Sequence, residues 1–312
     1  MAIFSTQDTK VLMPSTVADG MITKTQSTST VAQLSGSEPQ KFGDVDYIIF
    51  DSFPKAEFVE EGAQKSSTTG GFRSVRATPK KAQVTMRFNE EVQWADEDHQ
   101  LDVLNQLANK GAEALSRALD LGLYHRINPL TGSVINGWDN YVTATDKSVE
   151  VGSGELDQVI REGVGLLVND VESPVTPTGL ALDPTTVWDL GNLQTKNADG
   201  TPSGVQRYPN IGLGTNLQSF LGLNTAVGNT VSGRPEAADT GVRGIIGDFQ
   251  GGIRWGIQRQ MWAEKIPYGD PDGQGDLAGQ NQIAFRLEIV YGWYVFTDRF
   301  AVIKTGEEAS GE

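Results

Sequence analysis

The chain has 312 residues, enough for one large domain or two small ones with a real core. Its 25 basic and 40 acidic residues give a net charge of −15, which disfavours DNA or an anionic membrane as an attractive partner. It has no cysteine, hence no disulfide framework and no thiolate metal site, and its 36 glycines imply many turns and loop-rich β structure.

No apolar run reaches the roughly 18 residues of a transmembrane helix, and MAIFSTQDTK lacks the basic and then apolar order of a secretory signal. A soluble, cytoplasmic protein is the default expectation. Residues 1–43 are rich in Ser, Thr and Gln, as in TKTQSTSTVAQLSGSEPQ, with too little apolar surface to offset their ordering entropy as a core. Val11, Leu12, Val17, Met21, Ile22, Val31 and Leu34 nevertheless recur there. An arm that orders against another surface fits them better than a disordered leader.

A hairpin follows, AEFVEEGAQKSSTTGGFRSVRATPKKAQVTMRFNEEV over 56–92. On its return arm Ala82, Val84, Met86 and Phe88 alternate with Gln83, Thr85, Arg87 and Asn89, the pattern of a half-buried strand. The outgoing arm, with Phe58 and Val59, is weaker, and the tip reads KSSTTGG. Between Glu61 and Glu90 stand Lys65, Arg73, Arg76, Lys80, Lys81 and Arg87, without one acid. A two-stranded ribbon is marginal in water and needs another surface.

The clearest element is a helix over 96–127. Asp96 is its N-cap, acids fill the first turn, His125 and Arg126 stand at the negative end, and Asn128-Pro129 stops it. Leu101, Leu104, Ala108, Ala112, Leu115, Ala118, Leu119 and Gly122 or Leu123 form its apolar stripe. About 30 residues at ~1.5 Å each make a strut of roughly 45 Å. A second amphipathic helix is predicted over 155–169, burying Leu156, Val159, Ile160, Val164, Leu167 and Val168. A short strand over 179–182 leads to Asp183-Pro184, a cap with proline at the first helical position, and a helix through Leu190. NADGTPSG carries an Asp-Gly hairpin signal. Strand regions over 252–266 and 283–303 flank an acidic loop, GDPDGQGDLAGQN.

Catalytic chemistry is thin. His99 and His125 lie at opposite ends of the strut and serve helix-end electrostatics or surface exposure rather than one site. Nucleophile-elbow, phosphate-loop, dinucleotide and zinc-protease signatures are absent, and GIIGDFQGG lacks the Lys-Ser/Thr of a phosphate loop. Asp270, Asp272 and Asp276 have the oxygen density of a calcium site, but Asn281 stands where an EF-hand places its bidentate glutamate. A solvated acidic hairpin is the expectation there. No catalytic residue, metal or cofactor is assigned.

The order of these parts resembles the major capsid protein of tailed phages, with the Hong Kong 97-type capsid fold. PKAEFVEEGAQKSST looks like the start of that family's E-loop and PKKAQVTMRFNEEV like its return strand. GIIGDFQGGIRWGIQRQM is similar to its Gly-Asp-Phe turn into a peripheral-domain strand, and FRLEIVYGWYVFTDRFAVI to its C-terminal strand. The match runs over 15–305. It implies an α+β fold with an N-terminal arm (1–45), an E-loop hairpin with flanks (46–92) and a peripheral domain with the spine helix (93–150). An axial domain (151–242), strands returning to the peripheral domain (243–305) and a C-terminal tail (306–312) complete it.

The resemblance implies a structural, non-enzymatic subunit that self-assembles as hexamers and pentamers into an icosahedral head. That head encloses double-stranded DNA without sequence-specific binding and has no membrane. Assembly is expected in the host cytoplasm. Residues 1–45 leave no room for a fused scaffolding domain, so scaffolding is expected to come from a separate protein or to be unnecessary; portal and decoration proteins are further partners that the resemblance implies. Lys65, Phe72, Arg73, Arg76, Lys80 and Lys81 of the E-loop are implied to meet a neighbouring subunit. A basic hairpin on an acidic chain would then be self-complementary. Some relatives join an E-loop lysine to a neighbour's asparagine with help from a glutamate; Lys65, Asn281 and Glu288 have that spacing, but non-covalent interlocking is the expectation. An encapsulin shell is the rival within the fold, and a soluble enzyme or binding protein the rival outside it.

Overall fold

The computed structural model describes residues 28–50, 56–62, 64, 65, 67, 71–91, 97–152, 155–171, 173–212, 214 and 217–305. In chain order the elements begin with helix α1 (Thr30–Leu34), strands β1 (Val45–Phe50) and β2 (Phe72–Asn89), and helix α2 (Glu97–His125). Then come β3 (Ser148–Val151), α3 (Leu156–Val168), β4 (Gly179–Leu182) and α4 (Pro184–Asn192). The hairpin of β5 (Gln194–Lys196) and β6 (Pro202–Gln206) precedes β7 (Ser219–Phe220), β8 (Leu223–Val227) and β9 (Val242–Gly247). A single helical turn, α5 (Phe249–Gly252), leads into β10 (Ile253–Ile266), β11 (Gln282–Val295) and β12 (Phe300–Thr305).

The alternating apolar pattern of β2 makes it the longest strand of an antiparallel sheet ordered β1-β2-β11-β10. Its 18 residues span about 60 Å at ~3.4 Å each. Residues Thr78 to Asn89 pair with β11, whereas Phe72 to Ala77 pair with β1. One strand therefore belongs at one end to the body and at the other to a projecting hairpin. The outgoing arm of that hairpin is β1, not the stretch with Phe58 and Val59, which is exposed coil. VDYIIF supplies β-branched and aromatic residues for pairing, whereas Phe58 and Val59 run into Glu-Glu-Gly, with Gly62 at φ +84°.

Helix α2 is continuous past Gly111, as its apolar stripe predicts; the proposed cap at Asp96 lies outside the described residues, as do the side chains of His99, Leu101 and Leu104. Ala108, Ala112, Leu115 and Leu119 are buried in a core shared with Leu287, Ile289, Tyr291 and Trp293 of β11. The Tyr291 hydroxyl donates to the Leu115 carbonyl at 3.1 Å. At Gly111 a Cβ would overlap Leu287 Cδ1, so the missing side chain sets how closely helix and sheet approach. Gly111→Val is expected to lower subunit stability by about 1–3 kcal/mol, because overpacking here outweighs any gain in helix propensity. Chemical denaturation checks this; an unchanged midpoint would refute it.

The C-terminal end of α2 differs from expectation. His125 is buried, and its Nε2 bonds the Val231 carbonyl at 2.9 Å. Burial lowers its pKa to about 4, so the ring is neutral and adds no charge to the helix end. The helix closes instead through Arg126 at φ +53°, with the Ile127 N–H reaching back to the Leu121 carbonyl at 3.2 Å.

A second, mixed sheet has the order β3-β12-β9-β4-β8-β7. Strict alternation divides its residues between two cores. Ala181, Ile245 and Val302 join the core of α1 and α2. Leu180, Leu182, Ile246, Ala301 and Ile303 join Leu156, Val159, Ile160 and Leu167 of α3 and Val187 and Leu190 of α4. Gly163 rather than Val168 completes the buried face of α3, where Ile246 leaves no room for a Cβ; Val168, about 140° around the helix from Gly163, is exposed. Asp183 caps α4, accepting the Thr185 N–H at 2.9 Å. The Asp-Gly signal turns β5 into β6 with Gly200 at φ +83°.

The aromatic run over 283–303 is not one strand. β11 ends at Val295, a turn occupies Thr297–Arg299, and Phe300 starts β12 in the other sheet. Thr-Asp-Arg has the short polar residues that make such a turn. The stretch 243–305 accordingly divides: β10 and β11 lie in the long sheet, β9 and β12 in the mixed one.

Candidate functional site: the projecting hairpin

The register of β1 with β2 sets Asp46 opposite Arg76, Ile48 opposite Ser74 and Phe50 opposite Phe72. These residues share one face, and on it Ile48 is 76% and Phe72 67% exposed. The other face carries Val75 and Ala77, both buried. Beyond the strands Phe58 is fully exposed and Lys65 is exposed. The hairpin thus presents apolar groups that its own subunit leaves in water.

Its cations are disposed differently. Arg76 Nε bonds Asp46 Oδ1 at 2.8 Å, with Asp44 at 3.5 Å, and this hydrogen bond holds the Asp46 carboxyl below the usual carboxylate range. Lys81 Nζ lies 2.6 Å from Glu288 Oε1. Lys80 Nζ sits 4.4 Å from the Trp293 ring centre and 5.3 Å from that of Trp138, and burial lowers its pKa to about 8. Arg87 pairs with Asp270 at 3.0 Å and with Asp272, and donates to the Gly275 carbonyl at 2.9 Å. Four of the hairpin's six cations are therefore engaged within the subunit; the Arg73 side chain lies outside the described residues. A charge count along the chain misses this because most of the partners come from β11 and the loop over 269–281, about 200 residues away.

The acidic loop is held rather than freely solvated. The Arg87 guanidinium lies among Asp270, Asp272, Gly275 and Gln280, and Asp276 accepts the N–H groups of Gly269 at 3.1 Å and Gly279 at 2.9 Å. Among the described residues no group of three or more His, Cys, Asp or Glu is placed to hold a metal ion. Asn281 ends the loop at φ +53°, its carbonyl accepting the Glu90 N–H at 2.8 Å. Glu288 is the partner of Lys81.

The residues that anchor the hairpin's root had little signal in the sequence. Asp120, in mid-helix and fully buried, accepts the Thr30 N–H at 2.9 Å, the Thr30 hydroxyl at 2.8 Å, the Val31 N–H at 3.2 Å, the Thr230 hydroxyl at 2.9 Å and the Ser29 hydroxyl. Ser29 itself caps α1, and Ser-Thr before an apolar run was the one available sign. From there the chain runs along β10: Trp255 Nε1 donates to Ser35 Oγ at 3.0 Å, and the Glu38 N–H to the Trp255 carbonyl at 2.8 Å. Arg254 pairs with Glu38.

Among the described residues no helix is long and apolar enough to cross a membrane. No curated protein matches the chain. A solved structure from Mycobacterium phage Ogopogo is 39% identical over 89% of this chain and 92% of that one, with a TM-score of 0.77. One from Gordonia phage Cozz is 26% identical over 90% and 87%, at 0.76. The structure titled "Capsid of empty GTA particle computed with C5 symmetry" shares the fold at 16% identity, over 89% and 90%, with a TM-score of 0.58. The family model described as the phage capsid family matches residues 9–304. A structural subunit fits a chain whose longest strand spans both the body and a hairpin with one exposed face, and this chain belongs to the phage capsid family as a major capsid subunit.

Proposed function

We propose that copies of this chain interlock through the projecting hairpin into hexamers and pentamers, closing an icosahedral shell around the double-stranded DNA of a tailed phage. The observation that carries this reading is the exposed pair Ile48 and Phe72 on a hairpin whose cations are mostly engaged at home. Covering such a side chain contributes about 1.5–3 kcal/mol, and a shell repeats the contact in every copy. The contact to the neighbouring subunit is then chiefly apolar, with Lys65, Phe72 and Arg73 toward the neighbour and Arg76, Lys80 and Lys81 stiffening the hairpin. Assembly takes place in the host cytoplasm. A net charge of −15 suits a shell that encloses DNA without gripping it. The subunit's role is architectural, with no catalysis of its own. Deleting Lys65 to Gly71 should leave the subunit folded but abolish or weaken shell formation, read by sedimentation; unchanged particle yield and melting would sink the reading. Nucleic acid inside the particles separates it from an encapsulin, a reading the family match does not favour.

The interlocking is non-covalent. Two observations support this reading: Glu288, which would serve as the assisting base, is ion-paired to Lys81, and Asn281, which would be joined to a neighbour's Lys65, ends a surface loop. Particles boiled in denaturing detergent should give one band at monomer mass; a ladder abolished by Lys65→Ala would reverse this.

A further inference from the structure

The segment between α1 and β1 has two unlike halves. Residues 29–35 are fixed: Val31 and Leu34 lie in the main core, Asp120 takes five hydrogen bonds from Ser29, Thr30, Val31 and Thr230, and Ser35 holds the Trp255 indole. Residues 36–43 bury no large apolar side chain; Gly36, Ser37, Pro39, Lys41 and Phe42 are exposed. They are held by polar groups alone: Glu38 to Arg254, Gln40 Oε1 accepting from Gln258 Nε2 at 3.2 Å, Gln40 Nε2 donating to the Tyr47 hydroxyl at 2.9 Å, and the Gly43 N–H to Gln258 Oε1 at 3.2 Å.

Their seat is a patch on the long sheet that carries no side chains. Gly256 and Gly292 stand opposite each other on β10 and β11. A Cβ on Gly256 would overlap the Glu38 carbonyl oxygen, and one on Gly292 would overlap the amide groups of Gln40 and Gln258. Gly43, at φ +125°, then turns the chain into β1, where Tyr47 takes up the Gln40 contact. The other root of the hairpin converges on the same place. β2 exchanges β11 for β1 between Thr78 and Ala77, and Pro79, which has no N–H for the ladder, pairs with Gly292 itself. Both arms therefore enter the hairpin beside one glycine, one through a polar strap and the other through a proline-weakened crossing.

We propose that residues 36–43 are a releasable strap that sets the direction of the hairpin, with residues 29–35 as its fixed anchor and Thr78 and Pro79 as the hinge. When the strap is seated at Gly256 and Gly292, β1 is held and the hairpin has one orientation. When it lifts, the polar groups it exposes can be satisfied by water. The hairpin can then swing while Trp293 and α2 stay packed. Its consequence for shell building rests on the hairpin being the intersubunit element; the strap itself does not.

The test is hydrogen exchange on the full chain as unassembled subunits, comparing wild type with Gln40→Ala and Gly256→Val. Amides of 36–43, 45–50 and 72–77 should exchange on the order of tenfold faster in each variant, with α2 and β11 unchanged. Gln40→Ala, which only trims a surface-proximal amide, keeps the test alive if Gly256→Val does not fold. The proposal is overturned if 36–43 loosens while 45–50 and 72–77 keep their protection. It is equally overturned if neither variant loosens 36–43, or if protection is lost throughout α2 and β11. Exchange is read before assembly, so a shell that still forms after tip deletion would refute the assembly role without touching this result.

Discussion

Asp120→Ala is expected to destabilise the subunit by about 3–5 kcal/mol, as a buried carboxylate that serves five donors is removed. The donors come from two separate stretches, the segment at Ser29 to Val31 and Thr230, and the carboxylate ties both to the helix that carries it. Without the carboxylate the N–H groups of Thr30 and Val31 face a dry cavity, and water reaches them only if α1 detaches. Burial raises the Asp120 pKa while the hydrogen bonds lower it, so the charge is held at some cost by its donors. Asp120→Asn keeps the shape and one acceptor oxygen and should lose less. Chemical denaturation of unassembled subunits measures both; a midpoint for Asp120→Ala within error of wild type would falsify the assignment of this network as the anchor.

The second large effect is a loss of stability on acidification between about pH 6.5 and 4. The His125 ring is held neutral by burial, its pKa lowered from 6.5 to about 4. In this interval the unfolded chain binds a proton at this residue and the folded chain does not, so stability is full above 6.5 and falls as pH drops toward 4. The full shift corresponds to about 3 kcal/mol. Asp120 acts in the opposite sense, because its raised pKa lets the folded state take up a proton first. The informative quantity is therefore the difference between wild type and His125→Gln, which can still donate to the Val231 carbonyl but cannot titrate. That variant should show a flatter stability profile between pH 6.5 and 4. Glu155, held at about 2 by Arg207 and Lys196, loses its contribution as pH falls from 4.5 toward 2, which touches only the lower edge of this interval and is common to both proteins. Parallel profiles for the two proteins would show that His125 is not the group responsible.

Local pattern was enough for the regular elements. The stripe of Ala108, Ala112, Leu115 and Leu119 marked α2, the alternation from Ala82 to Phe88 marked β2, and Asp183-Pro184 marked the start of α4. Each is a signal whose period and capping chemistry lie within a few residues of one another. The order of these elements, with four short motifs, was also sufficient to reach the capsid family. What the patterns did not carry was pairing at a distance: that β1 is the other arm of the hairpin, and that the run through Tyr294 and Phe300 crosses between two sheets.

The hairpin's electrostatics show the same division. By itself the sequence determined that six cations lie between Glu61 and Glu90 without an acid, and that the return strand among them is half-buried. Only the tertiary structure decided what those cations face. Glu288, Asp270 and Asp272 arrive from β11 and its preceding loop, Asp46 from β1 and Asp44 from just before it, and Lys80 meets the rings of Trp138 and Trp293. Helix periodicity and capping depend on neighbours a turn away, which the order of residues states directly. Charge compensation and the burial of Asp120 and His125 depend on which surfaces meet, and that follows from packing the whole chain at once.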